Sequence, residues 1–237
     1  LNRLGYRTNE RCGLHIHLGA SAAGEIKKEI RRLINFYAKN EGSFFGLAPT
    51  RVGNTYCNKF DARLRDNYRA NHGSLTSWTN RYYWVNGQAF DVHGTLEIRL
   101  MAGTLNPNSA VGWALFNLYL LQRLTVSRAG YPSAHLALPD PVQGSDLTTL
   151  RRESGLDGVC SDGFNLRQFI AASHTGSPTA EYLEVAADHY VKNRWVEVRS
   201  NASSVRAARR TALHNAWKGR GEFVPMFANN AQQVYAD

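Results

Sequence analysis

Two short stretches carry side chains whose types and spacing could do chemistry. In Gly94-Thr95-Leu96-Glu97-Ile98-Arg99-Leu100 polar and apolar residues alternate. A strand there places Thr95, Glu97 and Arg99 on one face and Leu96, Ile98 and Leu100 on the other. In Cys12-Gly13-Leu14-His15-Ile16-His17-Leu18-Gly19 the two histidines share one face and Leu14, Ile16 and Leu18 the other. If both strands lie in one sheet with their polar faces together, two imidazoles, a carboxylate and a guanidinium converge. Such a set suits a metal–phosphate site.

Each piece alone has a plainer reading. A His-x-His strand is more often a half-exposed sheet face than a ligand pair. As ligands, two imidazoles suggest zinc or another borderline metal before magnesium, which takes oxygen donors. A His-x-His metal hydrolase is therefore a third-ranked reading, and neither an HExxH motif nor a cysteine-rich partner set supports it. Glu97 and Arg99 could form an ordinary ion pair, and Arg51 and Arg81 could be surface charges. Tyr82, Tyr83 and Trp84 read as core, and Cys57 as a buried structural thiol. There is no Walker A motif and no GxGxxG, so phosphate binding by a glycine loop is not expected, and there is no GxSxG either.

The elements that must position these residues can be read in outline. After the histidine strand, residues 25–40 carry an apolar stripe at helical spacing (Ile26, Ile30, Leu33, Ile34, Tyr37, Ala38), with Lys27, Lys28, Arg31 and Arg32 outside it and Gly42 as the stop. Phe60, Leu64 and Tyr68 suggest a short helix closed by Gly73. Residues 77–86 are aromatic and β-prone, and Gly87 opens a loop to His93. Asn108 or Ser109 would cap an apolar helix over 111–127. Residues 132–160 are rich in proline and glycine, and 165–173 and 179–194 look helical. Arg206, Arg209, Arg210, Lys218 and Arg220 form a basic segment, and the last dozen residues read as a tail. No internal repeat or low-complexity tract is visible.

The totals bound the class. A chain of 237 residues with 43% hydrophobic content can build a core, and a formal charge of +9 with a pI near 9.7 favours anionic partners. Nucleic acid is compatible with that charge, but no motif supports it. Three cysteines without a CxxC pair point to a reducing compartment, hence a cytoplasmic location. No signal peptide is visible, and the longest apolar run, 111–121, contains Asn117 and is too short to span a bilayer, so no membrane partner is expected.

The order of the pieces then becomes informative. The histidine strand is followed by a helix, by Leu47-Ala-Pro-Thr-Arg51 with Tyr56-Cys57, by Asn80-Arg81-Tyr82 with Asn86, by Gly94-Thr-Leu-Glu-Ile-Arg99 with Gly103-Thr104-Leu105, and by a helix containing Trp113. Over roughly residues 10 to 130 this order resembles the amidoligase family, carboxylate–amine ligases related to glutamine synthetase and glutamate–cysteine ligase. The resemblance implies ATP-dependent amide formation through an acyl phosphate on an antiparallel, glutamine-synthetase-like sheet. By position, His15 and Glu97 match metal ligands, for magnesium or alternatively manganese. His17 matches a histidine near the ATP phosphates, and Arg99 an arginine that stabilises the transferred phosphoryl. Arg51 and Arg81 match phosphate or substrate-carboxylate contacts.

The fold expected is α+β, an antiparallel sheet flanked by helices. An amidoligase-like core spans 1–131, and a loop-rich, then helical region at 132–237 packs on it or stands beside it. The family also carries an acidic pair in a Gly-x-Glu-x-Glu type of motif on strands N-terminal to the histidine strand. The eleven residues before Cys12 hold no such motif. A missing N-terminal segment or another polypeptide is then expected to complete the site. Otherwise the chain is a non-catalytic binding or structural subunit, a viral particle being one setting. The substrates expected are a carboxylate and an amine, on a peptide, a cell-wall component or a small molecule.

Overall fold

The computed structural model describes residues 12–19, 26–74, 80–126, 137–141, 146–165 and 179–219, together with Thr8 and Trp78; at 26–29, 125–126 and 201–219 it gives the backbone course alone. The elements are β1 (Gly13–Gly19), α1 (Ile26–Lys39), α2 (Glu41–Leu47), a single 3-10 turn (Pro49–Arg51), α3 (Ala62–Ala70), β2 (Val85–Asn86), α4 (Gln88–His93), β3 (Thr95–Ala102), α5 (Pro107–Val126), α6 (Leu147–Glu153) and α7 (Ala180–Gly219). The class is α+β. The three strands form an antiparallel sheet in the order β1-β3-β2, so β3 is central. A sheet of this size does not by itself establish a glutamine-synthetase-like architecture.

Pairing between β1 and β3 sets His17 opposite Glu97, Leu18 opposite Leu96 and Ile16 opposite Ile98. A bulge follows. Leu14 pairs with Met101, so three steps along β3 match two along β1, and His15 faces the bulge. Directly opposed residues share a face. The bulge therefore adds Met101 opposite Leu14, and Leu100, as expected, stays buried in the same apolar cluster as Leu96 and Ile98. There the Tyr190 hydroxyl of α7 donates to Met101 Sδ at 3.7 Å.

Other expectations shift for local reasons. Among its described residues the aromatic stretch 77–86 yields the two-residue β2 alone, because Trp78, Tyr83 and Trp84 turn into the core. Asn80 Oδ1 accepts from the Tyr82 amide, which bends the chain just before it. Residues 88–93, expected as loop, form α4, and Gly94 closes it at a φ of 64°, a left-handed conformation that favours glycine. Gly42 lies inside α2 instead of ending α1, and the break falls at Asn40. The cap of α5 is Asn106, whose Oδ1 accepts from the Asn108 amide, with Pro107 at the first helical position. Asp61 caps α3 in the same way, accepting from the Leu64 amide. The reading at 165–173 and the C-terminal tail fall outside the described residues.

The core is a mass of aromatic rings. Phe44 packs against Tyr37, Trp84, Trp113 and Phe116, with centroids 5.1–6.3 Å apart. Asn117, the polar break in the apolar run of α5, is fully buried and satisfied: it accepts from the Tyr37 hydroxyl at 2.7 Å and donates to the Trp113 carbonyl at 2.8 Å. Glu41 is also buried and accepts from the Phe60 amide and the Trp84 indole, tying α2 to the approach to β2. Leu138, Leu150, Leu156, Leu183, Tyr190 and Val191 belong to the same apolar cluster as Ile34, Ile98 and Trp113. The described residues beyond 131 thus share one core with those before it.

Candidate active site

The face of the sheet opposite Leu96 and Ile98 carries the chemistry. On it, register alone makes a row across all three strands: His17 on β1, Glu97 on β3 and Asn86 on β2. Glu97 is the hub. Its Oε1 accepts from His15 Nδ1 and from Arg99 Nη1, each at 2.9 Å, and its Oε2 accepts from Asn86 Nδ2 at 2.7 Å. His17 Nε2 stands 3.8 Å from Oε1. Burial pushes the Glu97 carboxyl up, but the hydrogen bonds from His15 and Asn86 and the Arg99 guanidinium outweigh it and bring it from an ordinary 4.5 down to about 2. The group is therefore a carboxylate at any physiological pH.

Arg99 is fixed at three points. Besides Glu97 it donates from Nε to the Tyr56 carbonyl at 3.2 Å, and its guanidinium lies 5.7 Å from the Tyr82 ring centroid. Arg81 covers the same ring at 5.1 Å and donates to the Tyr82 hydroxyl at 3.2 Å, which holds that phenol below the usual tyrosine range. Arg81 itself is exposed, at the mouth of the cluster. His17 Nδ1 hydrogen-bonds Thr95 Oγ1 at 2.8 Å, and the exposed His93 meets the His17 ring edge-on at 6.0 Å.

Arg51 ends the 3-10 turn and is almost wholly buried. Its Nη2 lies 3.2 Å from where a Gly13 Cβ would stand, and His15 Nε2 lies 3.0 Å from that point. A side chain at position 13 would make both groups give way by a few tenths of an ångström. Cys57 is buried, and burial pushes its thiol up although Arg51 and Arg99 pull it down. That makes it a structural thiol and not a nucleophile.

All six residues singled out from sequence thus gather around one strand face: His15, His17, Glu97 and Arg99 in direct contact or near it, Arg51 buried behind His15, and Arg81 at the entrance. Sequence reasoning missed the roles of Asn86, Thr95 and Tyr82 and of the Tyr56 carbonyl. Asn86 stood in the open, just before Gly87, but its place opposite Glu97 depends on a two-residue strand that no periodicity announces. A separate cleft of about 630 Å³ opens between the start of α5 and α7, lined in part by Ser109, Phe164, His189, Tyr190 and Arg194. None of the six lines it. Its charged and ring groups are engaged with one another: His189 pairs with Asn193, and Arg194 with the Leu47 carbonyl and Glu197.

A family model described as "putative amidoligase enzyme" matches residues 1–121, just over half of the chain. The chain belongs to that family. Comparison with curated proteins and with solved structures returned no match. Membership brings ligase-type chemistry as the family's described activity. Among the described residues no helix is long and apolar enough to cross a membrane.

The donors fit phosphate better than a divalent cation. Arg99 holds the single carboxylate, with Arg81 on the Tyr82 ring and Arg51 near Gly13 and His15, and guanidinium forks match phosphate oxygens. Magnesium asks for about six oxygen ligands in octahedral array. Among the described residues no group of three or more histidine, cysteine, aspartate or glutamate side chains is placed to hold a metal ion. Magnesium or manganese on His15 and Glu97 alone is therefore a poor fit for this amidoligase chain.

The depressed Glu97 carboxyl makes a stability prediction. A group whose folded pKa lies below its unfolded one contributes in full above the unfolded value and loses that contribution as pH falls through the folded one. For a drop from 4.5 to about 2 the contribution at neutral pH is roughly 3 kcal/mol. Urea unfolding of wild type and Glu97→Gln across that acid range should show the difference between them shrinking towards pH 2.

Proposed function

We propose that the chain is an ATP-dependent carboxylate–amine ligase that forms an amide through an acyl phosphate. The observation that carries this reading is the Glu97–Arg99 pair on the central strand, inside the stretch that matches the family, with Arg81, His15 and His17 around it. Phosphoryl transfer is mainly positioning and charge neutralisation, and a rigidly held arginine is the group best suited to it. In this reading ATP supplies the phosphoryl group that activates the substrate carboxylate.

The chain's own residues divide the remaining work. Arg99, held by Glu97, Tyr56 and Tyr82, faces the negative charge that builds on the transferred group. Arg81, exposed and stacked on Tyr82, draws the anionic end of a substrate into the mouth. His17, steadied by Thr95, lines the phosphate side. Arg51 adds fixed positive charge behind His15. The amine then attacks the activated carbonyl and phosphate leaves.

The test is turnover of ATP in the presence of magnesium by the purified chain with a panel of carboxylates and amines, using carboxylates labelled with oxygen-18. An acyl phosphate passes one carboxylate oxygen into the released phosphate, so label in phosphate that appears only when an amine is present supports the ligase. Phosphate release indifferent to both substrates, or unlabelled phosphate, rejects it.

A further inference from the structure

We infer that Glu97 is a positioning residue and not a metal ligand, and that the cluster it organises takes the phosphate chain of a nucleotide directly, with no divalent ion bound to the protein beforehand. The inference rests on the ligase reading only for the choice of a nucleotide as the natural anion.

The argument starts from the lone pairs of the carboxylate. An ionised glutamate offers about four acceptor positions. At Glu97 three are taken, by His15 Nδ1, Arg99 Nη1 and Asn86 Nδ2, and His17 stands near Oε1 as well. The one position left on Oε2, beside Asn86 Nδ2, offers a cation a single carboxylate oxygen, and a cation on Oε1 would have to displace Arg99 or His15. It would then sit beside a guanidinium whose Nη1 now lies 2.9 Å from that oxygen, held from behind by the Tyr56 carbonyl and by Tyr82. Two like charges at that separation repel strongly in a partly buried site.

An anion meets the opposite situation. Glu97 and Tyr56 engage Nη1 and Nε of Arg99, and the Nη2 end has no partner among the described residues. Arg81 uses one nitrogen on the Tyr82 hydroxyl, and the rest of its fork is exposed. His15 donates from Nδ1 to Glu97, so the carboxylate also fixes which ring nitrogen carries the proton. The work of Glu97 is thus to aim its neighbours. Its own charge is engaged inside the cluster, and the donors that remain, Arg99 Nη2 and the rest of the Arg81 fork, are of the kind that binds phosphate oxygens.

Two titrations on the intact wild-type chain test this: inorganic tripolyphosphate followed by calorimetry in EDTA and again in magnesium, and manganese alone followed by electron paramagnetic resonance. Tripolyphosphate is expected to bind in EDTA within about threefold of its affinity in magnesium, and manganese alone to show no saturable site. Loss of tripolyphosphate binding in EDTA, or a stoichiometric manganese site on the nucleotide-free protein, overturns the inference. Glu97→Gln adds the kinetic readout. A positioning role predicts a fall in kcat of about tenfold or more with the magnesium concentration for half-maximal turnover unchanged, whereas a rise in that concentration marks a lost metal ligand and overturns the inference. The two readings can fail separately. Metal-free binding without amine-dependent phosphate release supports the inference and sinks the ligase; ligase activity with binding that EDTA abolishes does the reverse.

Discussion

Lysine in place of Arg99 is expected to lower amide-forming turnover by about a hundredfold or more while the fold survives. Removing one preorganised donor from a site of developing negative charge typically costs a factor of about 10² to 10³. Lysine keeps the charge, but its three N–H groups sit on one nitrogen and cannot reproduce the fork in which Nη1 donates to Glu97 Oε1 and Nε to the Tyr56 carbonyl, and it lacks the planar face that lies over Tyr82. The loss should fall on kcat more than on KM, because the guanidinium is needed where charge builds. Glu97 would still accept from His15 and Asn86, so the stability change should stay near 1–2 kcal/mol. Arg81→Lys makes a useful contrast. Arg81 is exposed and stacks on the same ring, so its replacement should act mainly on KM and by less than about tenfold. Steady-state kinetics of both variants, with urea unfolding alongside, checks the pair. Near-wild-type kcat in a folded Arg99→Lys protein removes Arg99 from the chemistry.

That contrast depends on geometry only partly legible in the chain. Alternation alone put Glu97 and Arg99 on one strand face and His15 and His17 on another, and antiparallel pairing of two such strands brings the faces together. The meeting of these four side chains was therefore legible in a period of two, whereas the antiparallel pairing was expected from the family resemblance. What stayed hidden has a common physical cause: it depends on contacts made across long sequence separations. The bulge in β3 that seats Met101 against Tyr190 has no local marker. The aromatic stretch before Asn86 has strand-like composition, yet Trp78, Tyr83 and Trp84 are recruited to the core and, among its described residues, Val85 and Asn86 are the ones that pair with β3. Arg51 reads as a surface charge by type, and only the packing of the 3-10 turn on the sheet buries it. The same holds for Asn117, whose burial is paid for by a tyrosine eighty residues earlier.

The second large effect is on stability, and it bears on the way the C-terminal region joins the sheet that carries Glu97 and Arg99. Asp188 of α7 is fully buried. Its Oδ1 accepts from Arg151 Nε of α6 at 2.8 Å, and its Oδ2 accepts from Ser161 at 2.7 Å and pairs with Lys192 Nζ at 2.8 Å. Arg151 also donates to the carbonyls of Leu156 and Val159, so one carboxylate ties α6, the following loop and α7 together. Asp188→Ala strands a half-buried guanidinium, and breaking a buried pair in this way costs about 3–5 kcal/mol. The lower end is expected here, since Lys192 keeps a third of its side chain exposed and can rehydrate. A double variant, Asp188→Leu with Arg151→Met, should regain much of the loss, because it removes the orphaned charge along with its partner. Tyr190, two residues on, seats Met101 of the strand that carries Glu97 and Arg99. Because both stretches contribute to one apolar cluster, the Asp188→Ala loss should appear as a downward shift of a single urea transition. A biphasic curve in which α6 and α7 melt first, leaving the aromatic core folded, would instead make the region beyond residue 131 a separate cooperative unit docked on the sheet.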